Sequence, residues 1–112
     1  MLNKAIKKAS QLENKKQRVF AIITDKKGHI LASGGNSYTR THPRMAYYSA
    51  KFNDFKKIYL HAEIASIVAC NKKPYAIYIA RVDKKGNSLP CNPCPICKLA
   101  ILDAGITKII TT

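Results

Sequence analysis

Acidic residues are scarce: six Asp and Glu stand against 20 Lys and Arg, a formal net charge of +14 on 112 residues. A field of that sign attracts phosphate-bearing ligands. Lysine far outnumbers arginine, and Ile and Asn are plentiful, as an AT-rich genome would produce. The Lys-Lys pairs at 7-8, 15-16, 26-27, 56-57, 72-73 and 84-85 therefore also read as plain solvated surface, and the charge by itself names no substrate. Long apolar runs are missing as well. The stretch Ala76-Ile77-Tyr78-Ile79-Ala80 is far shorter than the roughly 20 residues a bilayer span needs. The opening MLNKAIKKAS has no apolar signal core, which sets the expectation of a cytoplasmic protein without a membrane partner. In that compartment thiols stay reduced, so the four cysteines are read as metal ligands or buried thiols rather than disulfides. No repeat, linker or low-complexity tract divides the chain, and residues 1–112 are expected to form one domain.

Periodicity supplies the elements. Leu2, Ala5, Ile6, Ala9 and Leu12 fall on one stripe, which predicts an amphipathic helix over 2–16. The β-branched run 19–24, a turn at 25–28 and the run 29–33 predict a hairpin ended by Gly34-Gly35. Residues 36–60 read as irregular, with aromatics at 47, 48, 52, 55 and 59 implying a partly helical, packed segment. A buried helix is expected over 61–70, a strand over 76–82, a turn at 83–87, a helix over 94–104 and a last strand over 106–111. Two β-α-β crossovers after a hairpin make a three-layer α/β/α sandwich, with a mixed sheet whose later strands are parallel.

Two clusters carry chemistry: His61-Ala62-Glu63 and Pro93-Cys94-Pro95-Ile96-Cys97. A lone His-x-Glu is common by chance, and a lone Cys-x-x-Cys fits a redox pair or half a structural zinc site. Together, each opening a helix, they match the signature of zinc deaminases. Cys94 and Cys97 are three apart at a helix start, so both sulfurs can face one point, and His61 adds a third ligand. Three protein ligands leave a tetrahedral Zn2+ with one open position, the arrangement of a catalytic site. Glu63, two residues from a ligand, is placed to move protons rather than to bind metal. Pro90-Cys91-Asn92-Pro93-Cys94 fits the same Cys pattern. The register Cys94/Cys97 is preferred because it puts Pro95 in the first helical turn, where its missing N–H costs little, and lets the apolar run 99–102 follow directly. Cys91 is then a spare thiol beside the site and Cys70 a small core residue.

These motifs, with Gly35-Asn36, Thr41-His42-Pro43, Tyr59-Leu60 and Ala104-Gly105-Ile106, resemble the cytidine and deoxycytidylate deaminase superfamily, in particular its small bacterial and viral members. The resemblance runs from about Val19 onward. It implies a cytidine-deaminase-like fold, one Zn2+ per chain held by His61, Cys94 and Cys97, and Glu63 as the catalytic acid-base. It further implies substrate contacts from Asn36, Ala62 and His42. Asn36 also reads simply as a turn residue after two glycines. The resemblance departs at the C-terminus, where many members continue with another helix and a fifth strand that shape substrate selection. Without the usual C-terminal fifth strand, the last strand is expected to be a sheet edge, open to cover by a homo-oligomer.

The activity expected is hydrolytic deamination of cytosine to uracil and ammonia, in a nucleoside, a nucleotide or single-stranded nucleic acid, with a phosphate-bearing substrate favoured. Tyr38, Tyr47 and Tyr48 beside Arg40 and Arg44 suit stacking on an unpaired strand, and equally suit packing within a long loop. Two other readings stay open: a purine deaminase with the same metal chemistry, and a nucleic-acid-binding module with structural zinc. Glu63 argues against the latter, since a structural site has no use for that acid.

Overall fold

A computed structural model describes residues 1–54 and 59–112. Phe55, one of the aromatics expected to pack, and the lysine pair 56-57 lie outside the described residues. The elements are α1 (Leu2–Ser10), β1 (Arg18–Thr24), β2 (Ile30–Gly35), α2 (Pro43–Lys51), α3 (Ala62–Ala69), β3 (Ala76–Val82), β4 (Ser88–Leu89), α4 (Pro95–Asp103) and β5 (Lys108–Thr111).

β1 lies between β2 and β3, antiparallel to both, and β3 pairs parallel with β5 along Ala76–Ile79. β4 takes the other end of the same β3 edge, opposite Arg81 and Val82. Thr112 closes the gap between β4 and β5. Its Oγ1 accepts from the Arg81 N–H at 3.2 Å and donates to the Leu89 carbonyl at 2.7 Å.

Alternation along the strands sorts the core into two layers. On one face Ile22, Ala80 and Val82 meet Ala5 and Ala9 of α1. On the other, Ala21, Ile23, Ile77 and Ile79 meet α3 and α4 through Ile64, Ile67, Ala100 and Ile101. This is the expected three-layer α/β/α sandwich around a mixed sheet.

Several boundaries differ from the sequence reading. α1 stops at Ser10 rather than residue 16, because after Leu12 no apolar residue remains to bury and Asn14 turns away to bond Asn36. Gly34 and Gly35 end β2 as expected, but as its last two paired residues, opposite Ala21 and Phe20. A Cβ on Gly34 would sit 2.8 Å from the Ala65 Cβ, so the missing side chain lets α3 rest against the strand. Among the described residues of 36–60 the helical part is α2, opened by His42, whose Nδ1 accepts from the Arg44 N–H, and by Pro43 in the first turn. β4 follows the turn at 83–87 and was not foreseen. Two residues carry too little alternation to show in sequence. Cys70 is only partly buried, packing at the margin of the core as the C-cap of α3, and its thiol donates to the Lys72 carbonyl. Gly105, at φ +80°, ends α4 as expected.

The two reversals Asp25-Lys26-Lys27-Gly28-His29 and Asp83-Lys84-Lys85-Gly86-Asn87 are built alike. In each, the Asp Oδ1 accepts two backbone N–H groups at 2.9 Å, from residues two and four further on, and the glycine sits at φ +85°. Both Asp carboxyls are held below the usual range, chiefly by the N–H four residues on, His29 and Asn87 respectively.

Candidate active site

α3 and α4 bring the two motifs together by their N-termini. His61 is the N-cap of α3 and Cys94 the N-cap of α4, yet neither side chain caps its own helix. Both turn toward each other. His61 Nδ1 lies 3.3 Å from Cys97 Sγ and 3.7 Å from Cys94 Sγ. One donor atom from each of the three residues falls within 4.8 Å of the others. A tetrahedral Zn2+ at ordinary Zn–N and Zn–S lengths separates nitrogen from sulfur by about 3.6 Å, and the two observed distances bracket that value. The imidazole-to-sulfur spacing therefore suits zinc. Cys91 is outside the group, which agrees with the Cys94/Cys97 register.

The thiols are electrostatically unequal. A hydrogen bond from Cys97 holds the Cys94 thiol down to about 3 against the cost of burial, with His61 adding to the effect. The same bond, and then burial, pushes Cys97 up. A divalent cation between the two sulfurs would stabilise both as thiolates. Each sulfur also sits in the first turn of α4 or at its cap, where free N–H groups favour negative charge.

Glu63 occupies the first turn of α3 with only 6% of its surface exposed. Burial pushes its carboxyl above the ordinary range, while its own backbone N–H, His61 and a hydrogen bond with the Cys97 sulfur pull downward. It lines a cavity of about 510 Å³ together with His61, Ala62 and Cys94. That volume lies in the range of small-ligand sites, about 300–1,000 Å³. Cys91 is also in the wall, its thiol pushed up to about 11 by burial and then by Glu63.

The substrate-facing residues expected from sequence separate here. Asn36 and Ala62 line the cavity; His42 does not, and instead caps α2. The Asn36 amide is already engaged. Its Oδ1 accepts from Asn14 Nδ2 and the Val19 N–H, and its Nδ2 donates to the Gln17 carbonyl. Asn36 thus ties together the loops that form the rim. Among the tyrosines, Tyr38 and Tyr59 reach the cavity; Tyr48 is buried, and Tyr47 packs edge-on against it under the Lys51 ammonium.

Arg81, not singled out in the sequence, also lines the cavity. Its signal was there: β3 alternates, and Arg81 follows Ile77 and Ile79 on the face that packs against α3 and α4. A cation at a position the period reserves for core is an anomaly.

Comparison with known proteins agrees with this geometry. The family model described as the cytidine and deoxycytidylate deaminase zinc-binding region matches residues 1–112. No curated protein matches the chain significantly in sequence. Among solved structures, a dCMP deaminase from the cyanophage S-TIM5 is similar at a TM-score of 0.61 and 25% identity, over 98% of this chain and 80% of that one. A mutant cytidine deaminase from Mycobacterium tuberculosis is similar at 0.58 and 19% identity, over 100% and 81%. A guanine deaminase from Bacillus subtilis is similar at 0.61 and 22% identity, over 99% of this chain but 60% of its own length. The last two likenesses are ones of fold. With a model match along its whole length and a His/Cys/Cys group positioned to bind one metal ion, the chain belongs to the zinc-dependent cytidine and deoxycytidylate deaminase family.

Proposed function

We propose that the chain is a single deaminase domain over 1–112 that hydrolyses the exocyclic amine of a cytosine base, giving uracil and ammonia. The base is carried by a nucleoside, a nucleotide or a single strand, with phosphate-bearing substrates favoured. One domain is supported by a radius of gyration of 12.9 Å, close to the roughly 13 Å of a compact chain this long. The observation that carries the activity is Glu63: a buried carboxyl, bonded to a ligand sulfur and opening into the cavity that His61 and Cys94 also line.

In this reading His61, Cys94 and Cys97 hold the metal. Bound zinc supplies Lewis-acid chemistry, lowering the pKa of a water to about 7. Glu63 takes a proton from the attacking water and passes it to the ring nitrogen. It then takes the second proton of that water, from the hydroxyl now on the ring carbon, and passes it to the amino nitrogen, which leaves as ammonia while the oxygen stays on the ring carbon as a carbonyl. Ala62, at the start of α3, offers its backbone edge to the base. No described helix is long and apolar enough to cross a membrane.

The test is ammonia release from cytidine, deoxycytidine, their monophosphates, guanine, adenosine and single-stranded DNA. Release from cytosine compounds supports the reading. Release from guanine or adenosine alone moves the chain to a purine substrate, and release from none leaves structural zinc.

A further inference from the structure

Arg81 breaks the rules that built the rest of β3. It stands opposite Val19 in the β1–β3 register, on the face whose other members are core isoleucines. A buried polar group costs free energy unless it is bonded. The Arg81 backbone N–H is satisfied by Thr112 Oγ1, but its Nε is buried and has no hydrogen-bond partner. Among the described residues no carboxylate lies within ion-pair distance of its side chain. Among the described residues the cavity it lines contains no lysine, and their one acid there is Glu63. The Asn36 amide there is spent on the rim. Among the described residues Arg81 is therefore the cationic side chain of the cavity, with a donor left over.

We propose that Arg81 is the anion-recognising residue of this cavity and selects substrates that carry a phosphate group. The inference rests on the deaminase reading above for the identity of the base. A guanidinium offers donors in a planar fork that match two phosphate oxygens, and it never loses its charge at working pH. The +14 net charge draws anions toward the whole surface, whereas Arg81 discriminates at the site. The phosphate belongs to a free nucleotide or to a strand, and one set of measurements separates these.

Zinc-loaded parent, Arg81→Gln and Arg81→Lys are compared. Calorimetry measures binding of deoxyuridine monophosphate and deoxyuridine, and ammonia release measures turnover of deoxycytidine, its monophosphate and a short single strand. Zinc content and melting temperature are followed in parallel. The parent should bind the monophosphate at least tenfold more tightly than the nucleoside. Arg81→Gln should lose about 10- to 100-fold more on the phosphate-bearing compound than on deoxycytidine, the size expected for a lost charged hydrogen-bond pair. Arg81→Lys should fall between, keeping charge without the fork. A loss confined to the strand assigns the phosphate to nucleic acid, and a loss on the mononucleotide assigns it to a nucleotide. Equal binding of nucleotide and nucleoside by the parent overturns the proposal, even if Arg81→Gln does not fold. So does an unchanged preference in a folded Arg81→Gln. If no compound is deaminated but monophosphate binding still depends on Arg81, the deaminase reading fails and the anion site stands.

Discussion

Cys91, Cys94 and Cys97 present the same thiol three times within seven residues, and position relative to α4 separates them. Cys94 caps the helix and Cys97 lies in its first turn, so one imidazole reaches both. Cys91 is held back in the preceding loop by its N–H bond to the Thr112 carbonyl. Metal analysis should therefore find about one zinc per chain in the parent and in Cys91→Ser, and loss in Cys94→Ser and Cys97→Ser. Zinc lost from Cys91→Ser and kept by Cys97→Ser would reverse the register. This much was legible in the sequence, because spacing within one helical turn is fixed by covalent geometry. Arg81 was not read out, since its meaning depends on which face of β3 meets α3, and that emerges only from strand order. The engagement of Asn36 was hidden for a similar reason: Asn14 lies 22 residues away and reaches it only because α1 ends early.

At the scale of elements, Gly34 links the sheet to the site. α3 carries both His61 and Glu63, and its closeness to β2 depends on the absence of a Cβ at Gly34, which would meet Ala65 Cβ at 2.8 Å and Ser66 N at 3.0 Å. Ser66 N and the Ala65 carbonyl carbon, at 3.2 Å, are backbone and cannot swing aside. Gly34→Ala should lower stability by about 1–3 kcal/mol, the usual cost of overpacking, and weaken zinc binding by shifting His61. Thermal melts with metal titration check this; an unchanged melt and unchanged affinity would mean that α3 is not seated on β2 as described. Strong periodicity made the long strands β1 and β3 and the helices α3 and α4 readable. β4 and the end of α1 were not, because tertiary partners such as Thr112 and Asn36 decide them. The paired Asp-Lys-Lys-Gly turns were readable as turns, and their shared hydrogen-bond pattern explains why the same four letters recur where the chain reverses.

Across the described residues no lysine lines the catalytic cavity, and Lys16 reaches its rim, where it lies over the Tyr38 ring. Lys26, Lys27 and Lys73 gather around a second cavity of about 680 Å³ at the far end of the sheet, lined also by Asp25 and Tyr75. None lines the catalytic one. Long-range attraction then falls on any anion, while close contacts within the cavity are few. Catalytic efficiency on a mononucleotide should show a shallow salt dependence, and on deoxycytidine almost none. A strand contacting Z phosphates should show a log–log slope near −0.7Z. A steep slope for the neutral nucleoside would contradict this account. The most direct measurement is ammonia release from deoxycytidine monophosphate by zinc-replete Glu63→Gln beside the parent. The amide keeps the shape and cannot carry the proton, so the variant should fold, retain about one zinc and lose at least 10²–10⁴-fold in turnover. Near-parental release by a zinc-replete Glu63→Gln would contradict the central claim that Glu63 moves the protons of a zinc-dependent deamination.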